Sequence, residues 1–366
     1  MGQAALYLSP YSISMKKLVL STITLGLLAG CQDHALFPSQ DANLQPRLAY
    51  DLPEKYNTPD GLALAPDNSM LLSVNNAGNP AYPAVILRLT DQGYTEFATP
   101  PPSPATQKAS PFDIAYGPDG NVYYCDNQFT TDPNNKSRLM RIRIVNGQAG
   151  TIEAVVDGFR LSNGLVWKGN TLYVTDSQWD LPGVDNGSAV FKFTLDELNT
   201  VNGSNSIKLI PASLDPHILT TFVTQVGLDG DDLGCDGIDF DSKGNLFTGL
   251  FGSGVLYKLS LNADGSLASK TEFARPPCVD GLVINRNTDN IYVCDAKHNA
   301  IWIISPTGAM RVLSQNGDTD GSNGLLDEPA EVLIRNNKLY ISNYDVPQKG
   351  TLNTRSDAPH TLSVLE

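Results

Sequence analysis

Residues 161–180, LSNGLVWKGNTLYVTDSQWD, read as two strands joined by a tight turn. Leu165, Val166 and Trp167 form an apolar run, Lys168-Gly169-Asn170 turns, and Leu172, Tyr173 and Val174 return. Apolar runs flanking a Gly/Asn turn are a strong local hairpin signal. The entrance is polar, however, with Asn163-Gly164 ahead of the first apolar residue. Five further copies follow the same plan: PDGLALAPDNSMLLSVNN (59–76), FDIAYGPDGNVYYCDNQ (112–128), CDGIDFDSKGNLFTGLF (235–251), VDGLVINRNTDNIYVCDAKHN (279–299) and AEVLIRNNKLYISNYD (330–345). Their lead residues are Asp60, Asp113, Asn163, Asp236, Asp280 and Glu331, spaced by 53, 50, 73, 44 and 51 residues. An insertion between Leu181 and Gly234, rich in Asp, Asn and Gly, accounts for the long spacing.

A third strand follows most hairpins, at Val85–Leu89, Leu139–Ile144, Val190–Phe193, Val255–Leu259 and Ile301–Ile304. Weaker fourth strands follow several, such as Thr151–Val156 and Met310–Leu313. With 31 Gly, 24 Pro and no sustained helical period in its bulk, the chain is all-β. Six units of about fifty residues and about four strands each predict a six-bladed β-propeller of four-stranded blades over residues 47–366. The sixth unit ends at TLSVLE, one strand short, and Arg47–Leu52 is expected to complete that last blade and close the ring.

The N-terminus has a different character. Lys16-Lys17 precede an apolar stretch, Leu18–Leu28, too short to span a bilayer, followed by Ala29-Gly30-Cys31. Leu28-Ala29-Gly30-Cys31 resembles the lipobox of bacterial lipoproteins, which implies cleavage of residues 1–30, true initiation at Met15 and lipidation of Cys31. Residues 31–46 then read as a tether to the periplasmic face of the cell envelope. Gln32 after the Cys favours the outer membrane. The alternative for this stretch is a buried apolar strand.

With 25 Lys and Arg against 39 Asp and Glu, the net charge of −14 repels nucleic acid and favours cations. Cys125, Cys235, Cys278 and Cys294 form no CxxC pair. Cys235 and Cys278 both precede an Asp-Gly and are candidates for a disulfide. Cys125 and Cys294 end equivalent strands and read as buried small apolar residues.

In a propeller the first strand of each blade lines the central channel, so the six lead residues are expected to converge on the axis. Five carboxylates crowded there would repel strongly. A hard cation resolves this, and calcium accepts six to eight oxygens from carboxylates, amides and water. Another divalent metal is the alternative, and so is a set of Asp-Gly and Asn-Gly turns with no ligand role.

Ser162-Asn163-Gly164-Leu165 before TLYVTDS, and Asp236-Gly237 before DSKGNLF and GSGVLYKLS, resemble the senescence-marker protein/gluconolactonase/LRE-like family over about residues 50–345. That resemblance implies calcium-dependent lactonases or related ester hydrolases with the ion in the channel. It implies Asn163 as the amide ligand, Asp236 as a ligand also proposed to act as the base, and Asp60 in place of a longer Glu ligand. Where gluconolactonases carry a sugar-binding Arg-x-Asn, this chain has Ser110-Pro111-Phe112-Asp113, which argues for a less polar small-molecule substrate.

For such chemistry Asp236 is the expected base, but a calcium-bound carboxylate is a weak one, so Asp280 and Asp113 are the neighbours expected to help it, Asp280 as a catalytic residue. No G-x-S-x-G elbow is present. The loops after the second strands return to the channel face, so Phe112, Asp113, Phe129, Trp179 and Tyr344 are candidate substrate-binding residues, the aromatics alternatively packing between blades. His298 is either a rim acid or base or a solvated loop residue. The acidic stretches Asp229–Asp232 and Asp318–Asp327 lack EF-hand spacing and read as solvated turns. The competing function is a non-catalytic propeller that binds a ligand or protein around a structural ion.

Overall fold

Six sheets arise from the six repeats in the computed structural model, which describes residues 43–226 and 229–366. The first strands are Pro59–Leu64, Pro111–Tyr116, Ser162–Lys168, Cys235–Phe240, Leu282–Ile284 and Pro329–Arg335. Each touches the first strand of the next blade, and the sixth touches the first, so these strands form a ring around a channel. Blades 1, 4 and 5 are four-stranded antiparallel meanders in chain order. The fold is therefore a six-bladed propeller. In blade 6 the strands Pro329–Arg335, Lys338–Asn343 and His360–Leu365 are completed by Arg47–Leu52, with Arg47 opposite Val364 and Leu52 opposite His360. The expected closure by an N-terminal strand is present.

Hydrophobic burial is divided rather than central. One apolar cluster lies at each interface between neighbouring blades, which is the consequence of sheets that each present two faces. The largest, between blades 2 and 3, contains Tyr123, Leu139, Phe159, Trp179, Phe191 and Phe193.

The insertion after Leu181 is more structured than its composition suggests. It supplies the third strand of blade 3 (Gly187–Thr194), a short helix Leu195–Asn199 capped by Thr194 and Glu197, and the fourth strand Ile218–Val223. Between these, Ile207–Lys208 pairs in parallel with Gln148–Phe159, adding a fifth strand to blade 2. The buried Arg141 guanidinium locks this seam, donating to Glu153 and to the carbonyls of Leu198 and Val201.

Residues 43–46, read as the end of a tether, are docked on blade 5: Leu44 N donates to Leu313 O at 2.7 Å, and Ser314 Oγ donates to Leu44 O. Cys125, Cys235, Cys278 and Cys294 are free and buried, so the Cys235–Cys278 pairing does not form. Met15, the leader and Cys31 lie outside the described residues.

Candidate functional site

Pairing register shows how the strand entrances aim side chains at the axis. Leu62, Ile114, Leu165, Ile238, Leu282 and Val332 occupy the same position, opposite Leu72, Tyr124, Val174, Thr248, Val293 and Ile341. In five blades the register breaks over the two residues just before this position. Such bulges re-aim side chains and end the ladder. Counting back two residues gives the upper ring of the channel: Asp60, Phe112, Asn163, Asp236, Asp280 and Ala330. All six line one cavity of about 190 Å³.

This corrects the expected set. Asp113 and Glu331 lie one position later, where the other blades carry Gly61, Gly164, Gly237 and Gly281. Both line a separate cavity at the other end of the channel. Asp113 accepts from Ile114 N and Leu165 N, each at 2.7 Å, and Glu331 accepts from Val332 N. Asp113 is therefore a main-chain clasp between blades 2 and 3, not a substrate contact in the upper cavity. The upper ring carries three carboxylates and an amide rather than five carboxylates and an amide.

The glycines explain the Asp-Gly and Asn-Gly motifs. A Cβ on Gly164 would sit 2.5 Å from the Asp236 carbonyl oxygen, and one on Gly61 would sit 2.5 Å from Asp113 Cα. Successive first strands approach too closely for a side chain on that side. Hydroxyls on the second strands hold the approach. Thr175 Oγ1 accepts from Gly164 N and lies 2.9 Å from Asp236 O, to which it donates. Ser73 joins Gly61 to Phe112 in the same way, and Ser342 joins Glu331 to Asp60. Cys125 and Cys294 take this position in blades 2 and 5.

The ring is electrostatically unbalanced. Asp60 accepts from Asn75 Nδ2 at 3.3 Å, and Asp236 accepts from Asn163 Nδ2 at 2.7 Å. No hydrogen bond from the described residues reaches the Asp280 carboxylate. Burial, reinforced by the neighbouring carboxylates, pushes Asp60, Asp236 and Asp280 well above the usual carboxylate range. Among the described residues, the lining includes no Lys, Arg or His. Lys297, itself buried, pairs with Asp229 and Asp231 at 2.6 and 2.9 Å and is engaged away from the ring.

The donor set suits a hard cation: three carboxylates and an amide, with no competing positive charge. Asn163 uses Nδ2 for both of its bonds, to Ser177 and Asp236, and its Oδ1 has no partner among the described residues. Asp60, Asn163, Asp236 and Asp280 are thus the residues that could hold a metal here.

Phe112, Phe129 and Tyr344 line the cavity, and Phe112 meets Tyr344 edge-on at 6.2 Å. Trp179 does not line it. That indole is 1% exposed, donates to Ser213 O and packs on Phe191, so its role is between blades. His298 does not line the cavity either, and its Nδ1 lies 2.9 Å from Asp295 Oδ1. Sequence reasoning missed Thr130, Leu161, Leu233, Phe251, Ala330 and Gln348 in the lining. Phe251 was findable, since it directly follows the second strand of blade 4, Leu246–Leu250. The acidic stretches are not simply solvated turns, for Asp231 and Asp327 are buried.

Comparison with solved structures supports the architecture. A putative gluconolactonase matches at 14% identity with TM-score 0.56, covering 88% of this chain and 92% of that one. A gluconolactonase from Xanthomonas campestris matches at 14% identity with TM-score 0.53 over 90% and 98% of the two chains. An aldose sugar dehydrogenase from Streptomyces coelicolor, in its PQQ-bound form, matches at 16% identity with TM-score 0.52 over 88% and 98%. At these identities the likeness is one of fold. No curated protein gives a significant match. Residues 78–278, more than half of the chain and spanning blades 2, 3 and 4 entirely, match the SMP-30/Gluconolactonase/LRE-like region, and the chain belongs to that family.

Proposed function

We propose that the protein is a hydrolase of lactones or related carboxylic esters whose upper channel ring holds a divalent cation, calcium in the first instance. One observation carries this reading: buried Asp60 and Asp236, with Asp280 and Asn163, face a cavity that no Lys, Arg or His among the described residues lines. Family membership favours the same chemistry. When bound, the ion would supply Lewis-acid polarisation of the substrate carbonyl and stabilise the oxyanion.

Asn163, Asp236 and Asp60 are the ligands in this reading, with Asp60 acting directly or through water. Asp280, whose carboxylate no described residue engages, takes the proton from the attacking water. Phe112, Phe129, Leu161, Leu233 and Phe251 give the cavity apolar walls that exclude bulk water and seat a substrate less polar than a sugar lactone. The lipobox adds a location, the periplasmic face of the bacterial envelope, which depends on acylation of Cys31.

The test compares wild type, Asp280→Asn and Asp236→Asn on lactones and aryl esters, together with calcium binding. Asp280→Asn should lower kcat by about 10²–10⁴ with calcium affinity near wild type. Asp236→Asn should weaken calcium binding as well. Equal kcat for Asp280→Asn and wild type would remove Asp280 as the base. A second reading, a non-catalytic ligand-binding propeller, draws on Phe112 and Ala330, which put apolar groups at two ring positions. Calcium-loaded wild type that turns over no lactone or ester would favour it.

A further inference from the structure

Beside the channel mouth, the segment entering blade 6 meets the loop that joins its second and third strands. Asp327 comes from the first, Asp345 and Asp357 from the second, and one oxygen of each lies within 4.8 Å of the others. Asp327 is 1% exposed, and neither of its carboxylate oxygens has a hydrogen-bond partner among the described residues. Oδ1 of Asp357 is likewise buried and has no partner among those residues. Unsatisfied carboxylates at this depth are rare and costly.

The nearby cations do not relieve them. His360 Nδ1 lies 3.2 Å from Asp345 Oδ2, and its Nε2 lies 3.0 Å from Glu54 Oε2. Arg355 pairs with the other oxygen of Asp357 from the surface. Neither bonds Asp327. Glu328 is also buried, but it is satisfied by Val346 N, Gln348 Nε2 and Asn353 Nδ2. Burial, then Asp345 and Asp357, pushes Asp327 up to about 9. A proton on Asp327 would remove the charge but still leave a buried hydroxyl with no acceptor bonded to it.

We propose that Asp327, Asp345 and Asp357 form a second divalent-cation site, distinct from the channel ring, that takes an all-oxygen, calcium-class ion. Three carboxylates from two segments leave room for carbonyl and water oxygens in a six- to eight-fold shell. Its occupant pins the loop 344–359 to the strand entrance at 327–329. That loop carries Tyr344 and Gln348 into the cavity wall, and Gln348 is bonded to Glu328 next to the site. The ion therefore orders one wall of the cavity without touching the reacting atoms.

Calcium binding to the full-length, chelator-stripped protein tests this. Equilibrium dialysis of wild type, Asp327→Asn and Asp236→Asn counts bound ions. Hydrogen exchange over residues 345–357 and melting temperature are then read with chelator and with calcium. Asp327→Asn should bind one ion fewer than wild type, whereas Asp236→Asn should keep the calcium-dependent protection of this loop. With calcium about a hundred times above Kd, opening of the loop should slow about a hundredfold in wild type. The rise in melting temperature from chelator to calcium should be smaller in Asp327→Asn than in wild type. An unchanged ion count in Asp327→Asn, or loop exchange in wild type and Asp236→Asn indifferent to calcium, would overturn the site. If the channel reading alone is wrong, wild type binds one ion and Asp327→Asn still abolishes it.

Discussion

Gly164 shows at the scale of one residue why the repeat begins as it does. Asn163 can face the axis only because the next residue adds nothing between its own strand and that of Asp236. In Gly164→Ala the new methyl would sit 2.5 Å from the Asp236 carbonyl oxygen and 3.2 Å from Ile238 Cγ2. A main-chain carbonyl cannot rotate away as a flexible side chain would. The substitution should cost about 1–3 kcal/mol or more by overpacking, read as a lower denaturation midpoint. A neutral result would mean that the first strands are not packed this tightly. The same residue pair marks where the sequence was misread. Aligning repeats on their acids put Asp113 and Glu331 in the ring, but in these two copies the acid directly precedes the apolar residue, while elsewhere Gly intervenes. Distance to the apolar position, not residue type, sets register, because each step along a strand changes faces. Phe112 and Ala330 were therefore legible as ring residues. Trp179 was not legible as core, since nothing local distinguishes an aromatic aimed at a cavity from one between sheets.

Individual elements were easiest to read where two apolar strands flank a turn. That pattern recovered the hairpins and most third strands, and it located Arg47–Leu52 as the missing edge. It failed on Ile207–Lys208, a two-residue strand with no period to detect, held by backbone pairing to blade 2. Closure by Arg47–Leu52 has an energetic consequence that can be measured. Leu52 is 1% exposed and packs in the cluster between blades 6 and 1 with Leu62, Leu87 and Leu362. Leu52→Ala should cost about 2–5 kcal/mol. The exposed neighbour Leu48 serves as the control, and Leu48→Ala should change stability by less than about 0.5 kcal/mol. Equal effects in equilibrium denaturation would show that the closing strand contributes only its hydrogen bonds.

Across the whole molecule, part of the excess of acidic residues is buried, which makes stability depend on pH in an unusual direction. Burial raises Asp176 to about 6, Asp113 to about 7, Glu328 to about 8 and Asp327 to about 9. In the unfolded chain these groups lose their protons near the ordinary carboxylate values, 3.8 for Asp and 4.5 for Glu. Between those values and the raised ones, the folded state holds more protons than the unfolded state. Stability therefore falls as pH rises through this window. His360, also raised above its usual 6.5 by Asp345 and Glu54 against the opposing effect of burial, adds the same sign, because its paired charge is lost on deprotonation. Acids held low by hydrogen bonds, such as Glu54 and Glu96, are already ionised above about pH 5 and add no slope there. In chelator, the melting temperature should thus fall from about pH 5 to about pH 8. Calcium should oppose this fall, since its carboxylate ligands bind it better as they lose protons, and the gap between the calcium and chelator curves should widen with pH. Thermal melts at both pH values, with and without calcium, check both signs. A chelated protein that grows more stable toward pH 8 would mean that these carboxylates are ionised and satisfied in the folded state, with no need of a cation.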